Sequence, residues 1–480
     1  MKFISFLVPL IFLLSCSTDR PPEPFGPVPS ERQLAWHQME YYMFAHFTVN
    51  TFTDREWGQG DEKEKVFCPS ALDCRQWAKT ARDAGMKGII ITAKHHDGFC
   101  LWPSRFTGHS VRNSGWKDGK GDVIMELSEA CREYGLKLGI YLSPWDRNSA
   151  VYAGPEYITY YRNQLQELLS GYGDIFEVWF DGANGGDGYY GGAREMRKID
   201  NKTYYDWPGT HAIVRKLQPG AVMFSDAGPD VRWVGNESGM GSPTNWCLLK
   251  KDGMYPGGDF ASILGEGHDD GNYWVPAEVD VSIRPGWFYH AREDSMVRTP
   301  GNLLDLWYQS VGRNCNLLLN VPPDRRGLLN EKDVKALIGF KELREKEFSR
   351  EVGKGMKVAT TSFRGKKFLP SYINDGDNDT YWAARDKDLT ASLTIFFNEP
   401  EEVNRILIQE YIRLGQRISR YSVEAMVDNA WKKVVEGTTV GHKVIRKFNT
   451  VRASAVRINI EKSKACPAIS NVELFRAPGD

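Results

Sequence analysis

A chain of 480 residues, 41% hydrophobic and 26% charged, is long enough to bury more than one core and divides into two or three domains. Its 61 Lys and Arg against 62 Asp and Glu leave a formal charge of −1. That excludes the basic excess that nucleic acid or an acidic membrane surface selects, and points to a neutral substrate. The 15 Trp suit flat apolar surfaces such as sugar faces, although most Trp in a chain of this size are core.

Residues 1–16 carry an early Lys2, an apolar run from Phe6 to Leu14, and then Leu13-Leu14-Ser15-Cys16. The run is too short to span a bilayer and resembles a bacterial lipoprotein signal, in which cleavage leaves a lipidated Cys16; the alternative is an ordinary signal peptide with an incidental Cys. The expectation is an exported lipoprotein, periplasmic or anchored at the outer membrane or cell surface. The proline-rich stretch within 17–34 reads as an extended tether. The other cysteines are odd in number and lack metal-ligand spacing, so no disulfide framework is implied.

Residues 35–350 alternate amphipathic helical patterns with short apolar runs, the pattern of repeated βα units around a parallel sheet. Helices are predicted over 72–84, 122–134, 157–169 and 211–217, and strands over 88–93, 136–142, 175–180 and 221–224. Gly85, Gly135 and Gly173 stand just past helix ends, where a left-handed cap is needed. Polar residues follow successive strands: His46, then Lys94-His95-His96-Asp97, Tyr141, Asp181-Gly182 and Ser225-Asp226. A (β/α)8-type TIM barrel builds its site from such strand ends, whereas a doubly wound sheet concentrates them at one switch point. The predicted fold is therefore α/β, an irregular barrel closed by a charged helix over 330–350. From 351 to 480 the pattern changes to short alternating runs, at 392–397, 405–409, 421–427, 455–460 and 468–475, without helices between them. This reads as an all-β sandwich.

Asp181 ends an apolar run beside the glycine-rich loop 182–192, which places it at a barrel mouth where a ligand can approach the backbone; it is the candidate nucleophile. Glu237 lies in an irregular loop with Arg232 and Trp233, and a carboxyl packed against aromatic surface can hold its proton at neutral pH. It is the candidate general acid, although a solvated loop Glu reads the same way in isolation. His95 and His96 are adjacent, so in an extended chain they point to opposite sides and serve hydroxyls better than one metal.

Together these segments resemble the α-L-fucosidases of glycoside hydrolase family 29 over residues 35–345. The matching stretches are Phe44-Ala45-His46-Phe47 with Glu56-Trp57, Lys94-His95-His96-Asp97-Gly98-Phe99, Leu138-Gly139-Ile140-Tyr141, Val178-Trp179-Phe180-Asp181-Gly182, and Asn314-Cys315-Asn316 through Asn320. The resemblance implies a retaining hydrolase with Asp181 as nucleophile. His46, His95, His96, Tyr141 and Glu56 would bond fucose hydroxyls, and Trp179 and Trp287 would pack on the sugar's apolar face. Arg232 through Glu237, with residues 276–280 and 282–288, looks like the subgroup acting on α-1,3- and α-1,4-linked fucose of branched Lewis-type glycans, which makes Glu237 the acid/base. The opening Tyr41-Tyr42-Met43-Phe44 departs from the more usual form of that motif.

Residues 370–382 and 392–397 resemble a discoidin-type sandwich of the kind shared by carbohydrate-binding modules. Asp375, Asp377 and Asp379 are chemically suited to a structural Ca²⁺, or simply favour turns; catalysis itself needs no cofactor. Partners are fucosylated oligosaccharides or glycoconjugates and, through the anchor, a membrane. The rival readings are a glycan-binding surface lipoprotein without catalysis and a retaining hydrolase of another sugar such as galactose.

Overall fold

The computed structural model describes residues 20–479. Cys16, the expected lipidation site, lies outside them. Eight parallel strands close into one barrel: β1 Tyr41–Ala45, β2 Gly88–Lys94, β3 Lys137–Leu142, β4 Ile175–Trp179, β5 Val222–Ser225, β6 Val231–Trp233, β7 Ala277–Ser282 and β8 Asn316–Asn320. Each strand pairs with its sequence neighbours, and β1 pairs β8 through Tyr41 and Leu317.

The lumen is a packed core. Alternate side chains, among them Tyr42, Phe44, Ile90, Tyr141, Trp179, Phe224 and Leu318, form one buried cluster inside, while Ile89, Ile91, Ile140, Val178 and Val279 face outward into the helix layer. The period of two separates the faces. Burial of this apolar surface is worth about 25 cal/mol per Å².

The outer layer contains α2 Cys74–Asp83, α3 Val123–Tyr134, α4 Glu156–Gly171, α5 Trp207–Leu217, α6 Pro300–Gln309 and α7 Glu331–Glu347, preceded in the chain by α1 Glu31–His37. Their starts are set by side chains that accept from free backbone N–H groups: Asp73 on α2, Asp122 on α3, Asp206 on α5, Thr299 on α6 and Asn330 on α7. Irregularity is concentrated after β5, where Asp226–Asp230 leads directly into β6 with no helix between.

The stretch expected as a tether behaves differently from Arg20 onward. Phe25 N donates to Leu414 O at 3.0 Å, Arg417 Nη2 to Glu23 O at 2.6 Å, and Arg364 Nε to Arg20 O at 2.5 Å. An extended proline-rich backbone leaves its carbonyls unpaired, and these arginines take them up. Residues 31–37 are the helix α1, whose Trp36 enters the barrel floor and donates to Tyr42 Oη and Glu177 Oε2 at 2.9 and 3.1 Å.

The second domain comprises β9 Lys357–Thr360, β10 Trp382–Ala383, β11 Ala391–Glu410, β12 Ile418–Val427, β13 Ala430–Gly437, β14 Val444–Ser463 and β15 Ala468–Phe475. The expected strands 392–397 and 405–409 are two halves of β11. A register shift near 397–401 lets its first half pair β9 and its second half pair β15, so one bent strand crosses between sheet layers. The enclosed core includes Trp382, Leu393, Ile406, Val423 and Ile458. On the outside, Leu407, Ile445 and Phe475 join the barrel's own core cluster. Arg405 Nε meets Glu347 Oε1 at 2.7 Å in the same buried seam.

Asp375, Asp377 and Asp379 do not converge. Asp377 N donates to Asp375 Oδ1 and Asp379 N to Asp377 Oδ1, both at 2.9 Å, and no group of three His, Cys, Asp or Glu suited to a metal exists among the described residues. One oxygen each of Asp375 and Asp377 thus serves the turn itself, as the turn-forming reading of these residues expects. The seven described cysteines are free thiols.

Candidate active site

Asp181 stands two residues beyond the end of β4 and is partly exposed at the barrel mouth. Its Oδ1 accepts from Ala183 N at 2.6 Å, and its Oδ2 accepts from Tyr141 Oη at 2.8 Å. The backbone turn and β3 thus fix the carboxylate's orientation while lone pairs remain on both oxygens. Gly182 is required beside it. A Cβ there would sit 2.2 Å from Asp226 Oδ2, so the glycine lets a second carboxyl pack against the turn of Asp181. Burial, with Asp181 nearby, pushes the Asp226 carboxyl up to about 6.

His96 follows β2, and its Nδ1 lies 2.7 Å from Ser143 Oγ, which itself donates to Trp145 O at 2.7 Å. The serine hydroxyl must therefore accept from His96 Nδ1–H, leaving Nε2 as an acceptor 3.8 Å from Asp181 Oδ2. His46 follows β1 under the same logic. Its Nδ1 contacts Asn320 Oδ1 at 2.8 Å, and the Asn320 amide nitrogen donates to Ser282 Oγ and Trp287 O. The His46 Nε2 is again an acceptor. Burial lowers His96 to about 4 and His46 to about 3, so both are neutral near pH 7. His95 stacks on Tyr141 with ring centroids 5.7 Å apart, and its Nδ1 is buried without a protein partner.

The opposite wall comes from loops after β6 and β7. Trp287 packs on His46 at 5.1 Å, and its Nε1 donates to Glu237 Oε2 at 3.2 Å. Burial raises the Glu237 carboxyl, the indole N–H opposes the shift, and negative charge on Asp181 adds to it. The two carboxyls lie within electrostatic reach of each other across one mouth.

Glu56 is tied to the loop after β7. Its oxygens accept from Trp287 N at 2.8 Å and Phe288 N at 3.2 Å, and Oε1 lies 2.6 Å from His290 Nε2. It orients the loop that carries Trp287. Trp179 is 6% exposed, stacks on Phe224 at 4.1 Å and donates from Nε1 to Glu278 Oε1 at 2.9 Å. It is the packed floor of the site.

The structure adds residues to which the sequence reading assigned no role. Trp57, 52% exposed, stands edge-on to His96 and Trp145; its signal was an aromatic directly after Glu56. Asp226 was visible as a strand-end carboxyl, and Asp280 accepts from Trp233 Nε1 at 2.8 Å below the Glu237 loop. A cavity of about 750 Å³ opens at the barrel floor, but Asp174 is the one carboxylate lining it. The mouth, with Asp181 and Glu237, is the place where a bond between sugars can be protonated on one side and attacked on the other.

Known proteins resemble this chain over both of its domains. Residues 26–342 match the family model Alpha-L-fucosidase, and residues 357–474 match the F5/8 type C domain. The chain is 42% identical over 462 residues to Alpha-L-fucosidase 1 of Arabidopsis thaliana, covering 95% of this chain and 88% of that protein. A solved glycoside hydrolase 29 family member from an unknown rumen bacterium is 45% identical, with a TM-score of 0.86 over 95% of this chain and 79% of that one. A Ruminococcus gnavus GH29 fucosidase in complex with fucose is 30% identical, with a TM-score of 0.86 over 95% of this chain and 96% of that one.

Proposed function

Because this chain belongs to glycoside hydrolase family 29 and is an α-L-fucosidase, we propose that it is a retaining enzyme that removes terminal α-1,3/1,4-linked L-fucose from branched, Lewis-type glycans. Protonated Glu237 donates to the glycosidic oxygen while the ionised Asp181 attacks the anomeric carbon. The bond to the leaving sugar breaks as the fucosyl ester on Asp181 forms. Glu237, now a carboxylate, takes a proton from water, which hydrolyses the ester and releases fucose with its original configuration.

The observation that carries this reading is the pair of carboxyls in unlike surroundings: Asp181 held by Tyr141 and Ala183, and Glu237 raised by burial even though the Trp287 indole N–H opposes the rise. Separation of environments is what divides nucleophile from acid. The reading requires about 5–5.5 Å between the two carboxyl groups once substrate is bound. Two neutral histidines offering Nε2 acceptors, with Trp287 beside them, suit adjacent sugar hydroxyls next to an apolar face. The linkage preference rests on the Arg232-to-Glu237 and 276–288 segments.

The test is fucose release from an α-1,3/1,4-fucosylated Lewis-type oligosaccharide and from an α-1,2-fucosylated one, with NMR of the first anomer formed. Release from the branched sugar alone, with retention and with loss in Asp181→Ala and Glu237→Ala, is expected. Release from the α-1,2 sugar at an equal rate would sink the linkage assignment, and an inverted first product would sink the mechanism. For location, we propose export as a lipoprotein anchored through Cys16. Incorporation of labelled fatty acid, abolished by Cys16→Ser, tests that.

A further inference from the structure

The loop carrying Glu237 is held at two ends, one in the barrel and one in the sandwich. At its start, Arg232 on β6 is fully buried, and its guanidinium donates to Leu264 O at 2.8 Å, Trp246 O at 2.9 Å, Val275 O, and Asn245 Oδ1 at 3.0 Å. Carbonyls surround this charge, with no carboxylate bonded to it among the described residues, an arrangement that tolerates burial only while each acceptor stays in place. In between, Gly239 has a φ of +86°, and a Cβ there would sit 2.3 Å from Leu306 Cδ2, so the turn after Glu237 is pressed onto α6.

The loop's end is specified by the other domain. Asn245 N donates to Thr439 Oγ1 at 2.8 Å, Asn245 O accepts from Gln416 Nε2 at 3.0 Å, and Gln416 Oε1 accepts from Cys247 N at 2.6 Å. Asn245, Gln416 and Thr439 are each at most 1% exposed. A surface pair, Thr244 Oγ1 and Thr438 Oγ1 at 2.9 Å, extends the contact. These are directional bonds to backbone atoms, which locate a loop to a few tenths of an ångström where apolar packing alone would let it slide.

We propose that the sandwich domain positions the general acid: Gln416 and Thr439 act through Asn245 to set where Glu237 stands relative to the glycosidic oxygen. This rests on Glu237 being the acid/base. The two domains then form one catalytic unit, in which the sandwich contributes positioning residues to a site whose reacting groups all belong to the barrel.

A misplaced acid hurts only those substrates that need protonation of the leaving group, and that separates positioning from general damage. In full-length protein, kcat/KM would be measured for fucosyl oligosaccharide and for aryl fucosides of graded leaving-group pKa, down to dinitrophenyl fucoside, in wild type, Thr439→Val, Gln416→Leu, Thr439→Ser and Glu237→Gln. Thr439→Val and Gln416→Leu are expected to lose up to about 10²-fold on the oligosaccharide, to lose little on dinitrophenyl fucoside, and to steepen the leaving-group dependence. Thr439→Ser keeps the hydroxyl and wild-type rates. Equal losses on every substrate, or no loss on any, would overturn the proposal. Should Glu237→Gln itself show no leaving-group dependence, the acid/base reading fails and the positioning role falls with it. Thermal melting identifies a variant that does not fold, and Thr438→Val at the exposed end of the contact then takes its place.

Discussion

Tyr141 and Glu237 carry the sharpest expectations at the scale of single residues. Tyr141 Oη is a donor aimed at Asp181, and removing one such preorganised hydrogen bond from a charged centre costs on the order of 10²-fold in kcat. Tyr141→Phe should show that loss in steady-state kinetics with the fold intact by circular dichroism. In the proposed mechanism Glu237 works as an acid, so activity is expected to fall as it loses its proton. Its carboxyl is raised by burial and by Asp181, which places the alkaline limb of kcat/KM above the usual carboxylate range near about 4.3. A pH profile on dinitrophenyl fucoside, where protonation is dispensable, should lack that limb, as should Glu237→Gln. Asp181 could be read from the chain because a strand end beside glycines is a local pattern. The bonds of Glu56 to the Trp287 loop and of Trp179 to Glu278 could not, since they depend on what folds against each side chain.

The barrel strands place charge where periodicity alone does not disclose it. Glu177 on β4 and Glu278 on β7 meet in the lumen under Trp36, Tyr42 and Trp179. Burial raises Glu278 to about 7, and Glu177 is also pushed up by burial and by Glu278. A carboxyl raised in the folded state stabilises the fold fully below its unfolded value, about 4.3, and that contribution is lost as pH rises through the folded value. Urea unfolding between pH 5 and 8 should show falling stability, and Glu278→Gln should flatten the slope. At the end of β2, Lys94 Nζ is buried with Asp146 Oδ2 at 3.0 Å and Gln164 Oε1 at 2.9 Å, holding the turn that carries His95 and His96 against the β3 loop. Lys94→Met leaves the buried Asp146 with its hydrogen bonds from Asn148 N, Ser149 N and Tyr160 but without its counter-charge, and should cost about 3–5 kcal/mol in denaturant titration. Helix and strand periods marked most barrel elements within a few residues. They did not mark β6, β7, β8 or α6 in the barrel, nor β9, β10 and β13 in the sandwich, the last because its alternation is largely between charged and half-exposed positions; they caught β14 only at 455–460 and split β11, because a bulge looks like a turn until both halves find partners.

As a whole molecule the protein should unfold as one unit. Leu407, Ile445 and Phe475 bury the sandwich's outer face in the barrel's core, and Arg405, Glu347 and Tyr308 close the seam with buried hydrogen bonds. Calorimetry is expected to give a single transition, split or broadened by Leu407→Asp, which would place a charge against that apolar face. Two separate transitions in the wild type would contradict so tight an interface. The amino-acid chain on its own was enough for the α/β barrel, the all-β second domain and the family, because helix and strand periods, caps and motif order act over a few neighbouring residues. Folding decided that the proline-rich segment from Arg20 is strapped to the body, that Trp179 bonds Glu278 and Glu56 bonds the Trp287 loop, and that the loop of Glu237 is held partly by the other domain. Each of those outcomes depends on bonds between residues far apart in sequence, and no local pattern encodes which carbonyl a distant Arg, Gln or Thr will find.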